Sequence, residues 1–423
     1  MRIKTEIFDQ LQYLYQVTGF NDHQVHCVIR FEGKINAEVM EKTVTALVKQ
    51  IPILSMSYVN QEGKSYWEDK RSWKENNLFQ VVENEEDFYK FTCSKTLEEL
   101  GPQIKVCLLK SDKDALSIIF NHMITDGAGV KQCVYLLSDL YSKMMNQSDY
   151  MPKDLINGDR SFRKVISGIR FKERMKILLK NNHDNNQESS YIYPMSKDKN
   201  IAPFLLTREL MKERFDDIKK YGKNHNATVN DVLLTAYFRV LSQVLDCKGK
   251  KLSIPIMIDM RRYLKDKSFT ALSNLSSTVI ISITVNPGER FDQTLAKVSK
   301  EMNSKKNDNL GMSTFLKLDT LYKVLGYNLS YHILKKSLKN PAICMTNIGV
   351  LDSDLLKFEG SGIENAYVFG SIKYRPHFQL AMSSYKDTMT LCVNLYGSRE
   401  DKQNFKTFLD LMEKELGNAS NSL

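Results

Sequence analysis

The segment from Ala115 to Met144 constrains the fold more than any other part of the sequence. It begins with a short apolar run, Leu116 to Phe120, of the kind that fills a buried strand. From Val130 onward, apolar residues recur with the spacing of one face of an amphipathic helix. The segment therefore predicts a buried strand that is followed, after a short polar loop, by a helix.

The loop between these two elements reads NHMITDG and places His122 four residues before Asp126. Two interpretations are open. In the first, Asp126 only caps the helix by accepting its free N–H groups, and His122 is an ordinary histidine near the surface. In the second, the residues form the HxxxDG pattern of a catalytic loop, because functional side chains are often held where a rigid strand passes into a loop.

Composition places the chain among soluble globular proteins. With 423 residues it is too long for one compact core, so two or three domains are expected. The seven cysteines are scattered and form no CxxC pair, which argues against a disulfide framework and against a structural zinc site, and no metal is expected. No signal-peptide core and no membrane-spanning apolar run is visible, and we expect a cytoplasmic protein.

The formal net charge is +10, which has two interpretations. It can reflect a solvated, lysine-rich surface, or it can attract anionic partners. No nucleic-acid-recognition signature accompanies the charge, so we expect no nucleic acid as a partner. A phosphate-bearing co-substrate and an acidic carrier protein fit the charge equally well.

The first part of the chain alternates strands and helices. Val25 to Glu32 reads as a strand, and a helix from Asn36 should end before Pro52, because proline disfavours helix in the residue before it. Further strands are predicted at Ile53 to Tyr58, at Tyr66 to Glu68, at Phe79 to Val82 and at Ile104 to Leu109. This order predicts an α/β or α+β unit.

The segment Asp154 to Gln187 differs from its surroundings because it is dense in lysine and arginine. We interpret it as an interdomain linker or lid, and contact of a basic amphipathic helix with a membrane surface is the alternative. The predicted domains are therefore residues 1–160, a basic linker at 161–200, and residues 201–423.

The second part restarts the alternation of elements. Thr228 and Asp231 have the spacing of a capping box, so Asp231 is interpreted as a helix-end residue. Lys386 and Asp387 separate two strands of a hairpin. The remaining predicted elements are helices at Glu209 to Tyr221, Val232 to Val244, Phe291 to Met302, Leu316 to Leu338 and Phe405 to Leu416, and strands at Leu252 to Met257, Thr278 to Val285, His377 to Tyr385 and Thr388 to Tyr396.

Five segments together resemble one superfamily. They are FEGKINAEVMEKTVTALVKQIPIL, NHMITDG, NATVNDVLLTAYFRVL, IPIMIDMRRYL and TNIG, in this order. The order is similar to that of the chloramphenicol-acetyltransferase-like acyltransferases, which include peptide-synthetase condensation domains, alcohol acetyltransferases and wax-ester synthases. The resemblance covers almost the whole chain and implies mixed α/β sheets in two similar half-domains with a central tunnel.

The sequence departs from the family pattern in three ways. Position 121 is Asn, where condensation domains and wax-ester synthases usually have a second histidine. The plant-type DFGWG signature is absent, and Val368 to Ser371 is at most a remnant of it. No carrier or adenylation module adjoins, so the protein is expected to act alone or in trans.

The resemblance also implies roles for single residues. His122 would be the general base. Asp126, the second residue of the catalytic motif, would point away from His122. It would pair with Arg261, and Arg262 is the alternative partner. Gly127 would let substrate pass close to the backbone. The hydrogen-bond donor that stabilises the oxyanion is not identified. The candidates for it are the predicted substrate-binding residues Asn274, Thr346 and Asn347.

Three functions follow as alternatives. The first is a monomeric acyltransferase that moves an acyl group from acyl-CoA, as co-substrate and with no bound cofactor, to a small-molecule alcohol or amine. The second is a condensing enzyme whose donor is a thioester on an acyl carrier protein. The third is a non-catalytic relative that only binds a partner, and the intact HxxxDG pattern with a matching arginine argues against it.

Overall fold

A computed structural model describes residues 1–61, 64–70, 78–152, 154–179, 191–307, 309–338 and 340–420. The described residues form fifteen strands and eleven α-helices. The elements up to residue 179 are β1 (Arg2–Lys4), α1 (Ile7–Val17), β2 (Gln24–Phe31), α2 (Ala37–Gln50), β3 (Ser57–Gln61), β4 (Lys64–Glu68), β5 (Phe79–Val82), α3 (Glu85–Thr92), β6 (Ile104–Leu109), β7 (Ala115–Asn121), α4 (Gly127–Asn146), α5 (Arg163–Ile166) and α6 (Phe171–Leu179).

The elements after residue 190 are dominated by one large sheet. They are β8 (Ala202–Leu210), α7 (Lys212–Asn224), α8 (Val229–Val244), β9 (Lys251–Asp259), β10 (Ser276–Thr284), α9 (Phe291–Lys306), α10 (Met312–Ser337), β11 (Ile343–Leu351), β12 (Ile363–Phe369), β13 (Lys373–Tyr374), β14 (Phe378–Tyr385), β15 (Thr388–Gly397) and α11 (Arg399–Ser420). A short 3-10 helix, Met260–Tyr263, follows β9.

The described strands lie in three sheets. A small sheet has the order β1-β4-β3, and a five-stranded sheet has the order β12-β2-β7-β6-β5. The seven-stranded sheet has the order β10-β9-β11-β14-β15-β13, with β8 also paired to β15. Most neighbours are antiparallel, whereas β11 runs parallel to both β9 and β14. This mixture confirms the predicted class of α/β mixed sheets.

One strand crosses between the two parts of the chain. β12 comes late in the sequence, yet it pairs antiparallel with β2 of the five-stranded sheet, with Val368 opposite Cys27. The first part therefore completes its sheet with a strand from the second part. The domain boundaries at residues 160 and 200 stay a prediction.

Each large sheet has its own hydrophobic core. In the first part, helices α2 and α4 contribute Val44, Leu47 and Val134 to a core that covers β2, β6 and β7. All seven residues of β7 are buried, as expected for a central strand that is covered on both faces. In the second part, α8, α9 and α11 cover the seven-stranded sheet. A further cluster joins the two sheets, with Ile119 and Phe369 on one side and Ala381 and Cys392 on the other.

Several local predictions are confirmed. The side chain of Asn36 accepts a hydrogen bond from Val39 N at 3.1 Å, which caps α2. Thr228 and Asp231 form the predicted capping box of α8. β14 and β15 form the predicted hairpin. The helix predicted at Leu316 to Leu338 is present as α10, with a kink at Gly326, where φ is 69°.

Two predicted boundaries are wrong. The helix predicted from Glu209 begins only at Lys212, as α7. Glu209 itself lies in β8, because pairing with β15 across nine residues outweighs local helix preference. The strand predicted from Ile53 begins at Ser57, because Pro52–Ser55 forms a 3-10 helix. The basic segment contains α5 and α6, and the part of it at residues 180–187 lies outside the described residues.

Candidate active site

His122 is held at the end of the central strand of the five-stranded sheet. It directly follows β7, and its N–H donates to His23 O at 2.7 Å. Asn274 Nδ2 donates to His122 O at 3.1 Å, which fixes the other side of the peptide. Because β7 is buried throughout, the main chain of His122 has a rigid support.

The hydrogen bonds of the imidazole define its tautomer. Nδ1 lies 2.8 Å from Thr125 O, and since a carbonyl oxygen only accepts, Nδ1 must carry the proton. The 3.2 Å approach of Asn274 Nδ2 to Nδ1 is then a contact between two donors. No described residue forms a hydrogen bond with Nε2. Nε2 is therefore left with a free lone pair.

The surroundings of His122 keep the ring neutral. Burial lowers the pKa of His122 to about 4, and the charge of Lys373 acts in the same direction. Asp126 and the backbone hydrogen bonds oppose this effect without reversing it. At neutral pH the ring is consequently a neutral imidazole, with a proton on Nδ1 and none on Nε2, which is the form that accepts a proton.

Asp126 serves the loop and not the imidazole. Its Oδ1 accepts from Gly129 N at 2.9 Å, so it caps α4. Its Oδ2 accepts from Leu275 N at 2.6 Å and from Arg261 at 2.9 Å. Burial by itself would raise the pKa of Asp126, but the charge and hydrogen bonds of Arg261 hold it below its usual range.

Arg261 lies in the 3-10 turn after β9 and brings the second part of the chain to the loop. Besides Asp126, it contacts Asp259 Oδ1 at 3.2 Å and donates to Ser273 O at 2.9 Å. The predicted ion pair is thus present, although its members are separated by 135 positions. Arg262, the alternative partner, is exposed.

Two glycines at the start of α4 allow close packing. A Cβ on Gly127 would approach Ile348 Cγ2 to 3.2 Å, which is tighter than ordinary contact. A Cβ on Gly129 would overlap Thr125 Oγ1, so no other residue fits there without movement. The sequence prediction selected Gly127, whereas the stronger steric requirement lies at Gly129.

The three predicted substrate-binding residues occupy different places. Asn274 is buried against the main chain of His122 and does not line the cavity that His122 faces. Asn347 lines the cavity, but its Nδ2 already donates to Asn230 Oδ1 at 3.2 Å. Thr346 also lines the cavity, and its hydroxyl forms no hydrogen bond with a described residue.

Asn121 replaces the second histidine of the family pattern with a structural amide. Its Oδ1 accepts from Met123 N at 2.9 Å, which fixes the turn of the loop. Its Nδ2 lies 3.4 Å from Nε2 of the buried His23, which is also 3.3 Å from Glu98. This position therefore contributes to the support below the loop.

Two adjoining cavities meet at this site. The first has a volume of about 380 Å³ and is lined by His122 and Asp126 together with residues from α1, β9, β10 and β11. The second, of about 730 Å³, has the cationic side chains of Lys131, Arg261, Arg262 and Lys267 in its wall. The two share Ala128, Lys131, Met257, Ile258, Asp259 and Asn347.

Sequence reasoning missed a polar group in the first cavity. Ser371, Lys373 and Gln379 line it and come from the segment after β12 and from β14. Lys373 is one of 60 lysine and arginine residues, and no motif distinguishes it. The only signal nearby was the Val368 to Ser371 remnant, which ends two residues before it.

The described residues contain no group of three or more His, Cys, Asp or Glu side chains able to hold a metal ion. All seven cysteines are buried and free. No helix in the described part of the chain has the length and apolar character needed to cross a membrane.

The family follows from comparison with known proteins. Residues 10–319 match the Condensation domain family, and residues 272–418 match the WS/DGAT C-terminal domain. The protein belongs to the condensation-domain family, and thus to the chloramphenicol-acetyltransferase-like acyltransferases that the motifs predicted. No curated protein matches the sequence.

Solved structures share the fold over almost the whole chain. The epimerization domain from the third module of tyrocidine synthetase B has a TM-score of 0.73 at 13% identity, covering 100% of this chain and 97% of that one. Trichothecene 15-O-acetyltransferase from Fusarium sporotrichioides has a TM-score of 0.71 at 13% identity, covering 99% and 95%. The starter condensation domain of rhizomide synthetase, in complex with C8-CoA, has a TM-score of 0.66 at 13% identity, covering 99% and 96%.

Proposed function

We propose that the protein is an acyltransferase that moves an acyl group from acyl-CoA to a small alcohol or amine, with His122 as the general base. The observation that carries this proposal is the free Nε2 of His122, in a ring that lines a cavity and whose Nδ1 proton is committed to Thr125 O. A base must present its lone pair to the substrate while its other nitrogen is held in place.

The reaction needs one proton to be moved. As the hydroxyl or amino group of the acceptor attacks the thioester carbonyl, its proton passes to His122 Nε2 and a carbon–oxygen or carbon–nitrogen bond forms. The tetrahedral intermediate then collapses, the carbon–sulfur bond breaks, and the proton passes from His122 to the leaving thiolate. The imidazole is neutral before and after each cycle.

The oxyanion of the intermediate needs a hydrogen-bond donor, which contributes on the order of 10² to 10³-fold in rate. Thr346 suits this role best among the three predicted residues, because it lines the cavity with an uncommitted hydroxyl. Asn347 also lines the cavity but uses its amide on Asn230, and Asn274 uses its amide on His122 O.

The second cavity suits the donor. Arg262 and Lys267 are exposed in its wall and have no ion-pair partner among the described residues. Exposed cations in a cavity wall attract phosphates, which coenzyme A carries at the end away from its thioester. The complex of the rhizomide synthetase domain with C8-CoA is consistent with such a donor.

The alternative donor is a thioester on an acyl carrier protein. The match to the Condensation domain family favours it, and the same cations would meet an acidic carrier surface. The two donors differ in one consequence. Free acyl-CoA should be turned over without any added protein if coenzyme A is the donor, whereas a carrier-dependent enzyme should turn over only the acylated carrier.

The test is release of free thiol from acyl-CoA in the presence of small alcohols and amines, with the product identified by mass spectrometry. Wild-type protein should release thiol and form an ester or amide in equal amounts. His122→Ala should fold normally and lose on the order of 10² to 10⁴-fold in kcat. If His122→Ala turned over the same substrates at the wild-type rate, His122 would not be the base.

A further inference from the structure

Lys373 places a positive charge at the wall of the first cavity. The residue is only 7% exposed, and it lines the same cavity as His122. Its ammonium forms no hydrogen bond and no ion pair with any described residue. A lysine that is largely buried and has no partner for its ammonium is costly, so such groups are commonly paired with a carboxylate or a ligand.

The backbone around Lys373 is firmly held. The residue is opposite Leu395 in the β13–β15 pairing, and it also forms an isolated bridge with Asn21. The N–H of the preceding Ile372 donates to Asp22 Oδ1 at 2.9 Å. The side chain of Lys373 therefore stands on a rigid support at the cavity wall and not on a loose loop.

Asp22 is the buried carboxylate that binds the backbone next to Lys373, but it forms no ion pair with Lys373. Its Oδ1 accepts from Ile372 N and Gln24 N, while its Oδ2 has no partner among the described residues. Its separation from the Lys373 ammonium exceeds ion-pair distance, since no such pair is formed. Burial also raises the pKa of Asp22 to about 7, so its negative charge is incomplete at neutral pH.

Two amides in the lining of the same cavity add uncommitted hydrogen-bonding capacity to it. Gln379 is buried in the lining, and no described residue hydrogen-bonds its side chain. Asn340 Nδ2 is buried in the lining without a partner. An ammonium with free amide N–H donors matches the acceptor-only oxygens of a carboxylate.

The position of Lys373 indicates which substrate brings the anion. Lys373, Gln379 and Asn340 line the first cavity and are absent from the wall of the second, where Arg262 and Lys267 lie. If the phosphates of the donor occupy the second cavity, the anion that meets Lys373 belongs to the other substrate. This step rests on the proposed function.

We propose that the acceptor is an alcohol or amine that carries a carboxylate, and that Lys373 binds this carboxylate while the hydroxyl or amino group faces His122. The substrate class is thus a hydroxy acid or an amino acid, acylated on oxygen or nitrogen. A cavity of about 380 Å³ has the size of a small-molecule site and suits such a compound.

The first experiment measures binding without turnover. A series of straight-chain hydroxy acids and the matching neutral hydroxy amides would be titrated into the full chain by calorimetry. The acid that binds best should bind roughly tenfold or more tightly than its amide, because a charge-assisted hydrogen bond is lost in the amide. Equal binding of acid and amide, or no binding of any acid, would overturn the proposal.

Two variants of Lys373 and one control locate the effect. Lys373→Met has a similar length without charge and should remove the preference for the acid, whereas Lys373→Arg should keep part of it. Lys105→Met is the matched control, because Lys105 is partly buried, donates to Lys95 O at 3.1 Å and does not line the cavity. A preference that persisted in Lys373→Met would exclude Lys373 as the anion-binding group.

The second experiment separates this proposal from the proposed function. Thiol release from acyl-CoA would be compared for each acid and amide as acceptor. If amides were acylated as well as acids, and Lys373→Met left their kcat/KM ratio unchanged, the proposal would fail while acyl transfer stood. If acids bound through Lys373 but no acceptor released thiol, the proposed function and the acceptor role would both fail.

Discussion

Helices α4 and α8 each have an aspartate at their N-terminal end, Asp126 as the N-cap of α4 and Asp231 in the first turn of α8, but the two aspartates have different partners. Asp231 forms a local capping box, in which Oδ2 accepts from Thr228 N at 2.9 Å, and its Oδ1 has no partner among the described residues. Asp126 also caps its helix, through Gly129 N, but it adds Leu275 N and Arg261 from the other part of the chain.

The comparison separates a residue that only caps a helix from one that also links distant segments of the chain, which we call a tether. Both hydrogen bonds of the capping box join Asp231 to Thr228, three residues away, so the interaction forms as soon as the helix does. The contacts of Asp126 with Leu275 and Arg261 bridge 149 and 135 positions, so they require the two parts of the chain to be assembled. We therefore expect Asp126 to couple the loop of His122 to the assembly of the fold.

The largest effect is expected for Asp126→Ala. This change leaves Arg261 and Leu275 N without their buried acceptor, and it should lower the free energy of unfolding by roughly 3–5 kcal/mol. Urea unfolding followed by circular dichroism would measure this loss. Asp139→Ala is the control, because Asp139 lies on the same helix in an exposed pair with Lys143 and should change stability by about 0.5 kcal/mol or less.

A smaller effect is expected for Asp231→Ala. It removes one local hydrogen bond to Thr228 N, so the loss should be about 1 kcal/mol, typical of a helix cap. The same urea experiment applies, with acyl transfer as a second measurement. A loss as large as that of Asp126→Ala would contradict the distinction between a cap and a tether.

The smallest effect is the coupling between the two aspartates. They share no hydrogen-bond partner, so the losses of Asp126→Ala and Asp231→Ala should add within about 0.5 kcal/mol in the double variant. A double-mutant cycle from four unfolding curves, of the wild type, the two single variants and the double variant, measures this term. Coupling well above that value would mean that the start of α8 belongs to the same structural unit as the loop of His122.

The sequence predicted well what local patterns encode. Asn36 and Thr228 are recognisable caps because the groups that they bind lie within three residues. β7 is recognisable because its apolar run must be buried. β8 was missed at Glu209 because its strand conformation depends on β15, almost two hundred residues later, and no local pattern reports that pairing.

The same distinction between local patterns and long-range contacts applies to the candidate active site. Motif order was sufficient to select His122, Asp126 and Arg261, and the structure brings these three residues together. Motif order could not show that Nε2 is free, that Asn274 supports the main chain of His122, or that Lys373 faces the same cavity. Those features depend on where distant segments meet, and a single lysine among many carries no local sign of it.

The central claim is that the assembled site holds His122 as a neutral base, and the pH dependence of kcat/KM for acyl transfer to an alcohol, which does not titrate in this range, tests it most directly. Burial lowers the pKa of His122 to about 4, and a base is inactive when protonated. We expect kcat/KM to stay level from about pH 8 down to about pH 5 and to fall only below that range. Asp22→Asn, measured beside the wild type, removes the carboxyl whose pKa burial raises to about 7. A fall centred near the ordinary histidine pKa of 6.5, present in both proteins, would contradict the claim.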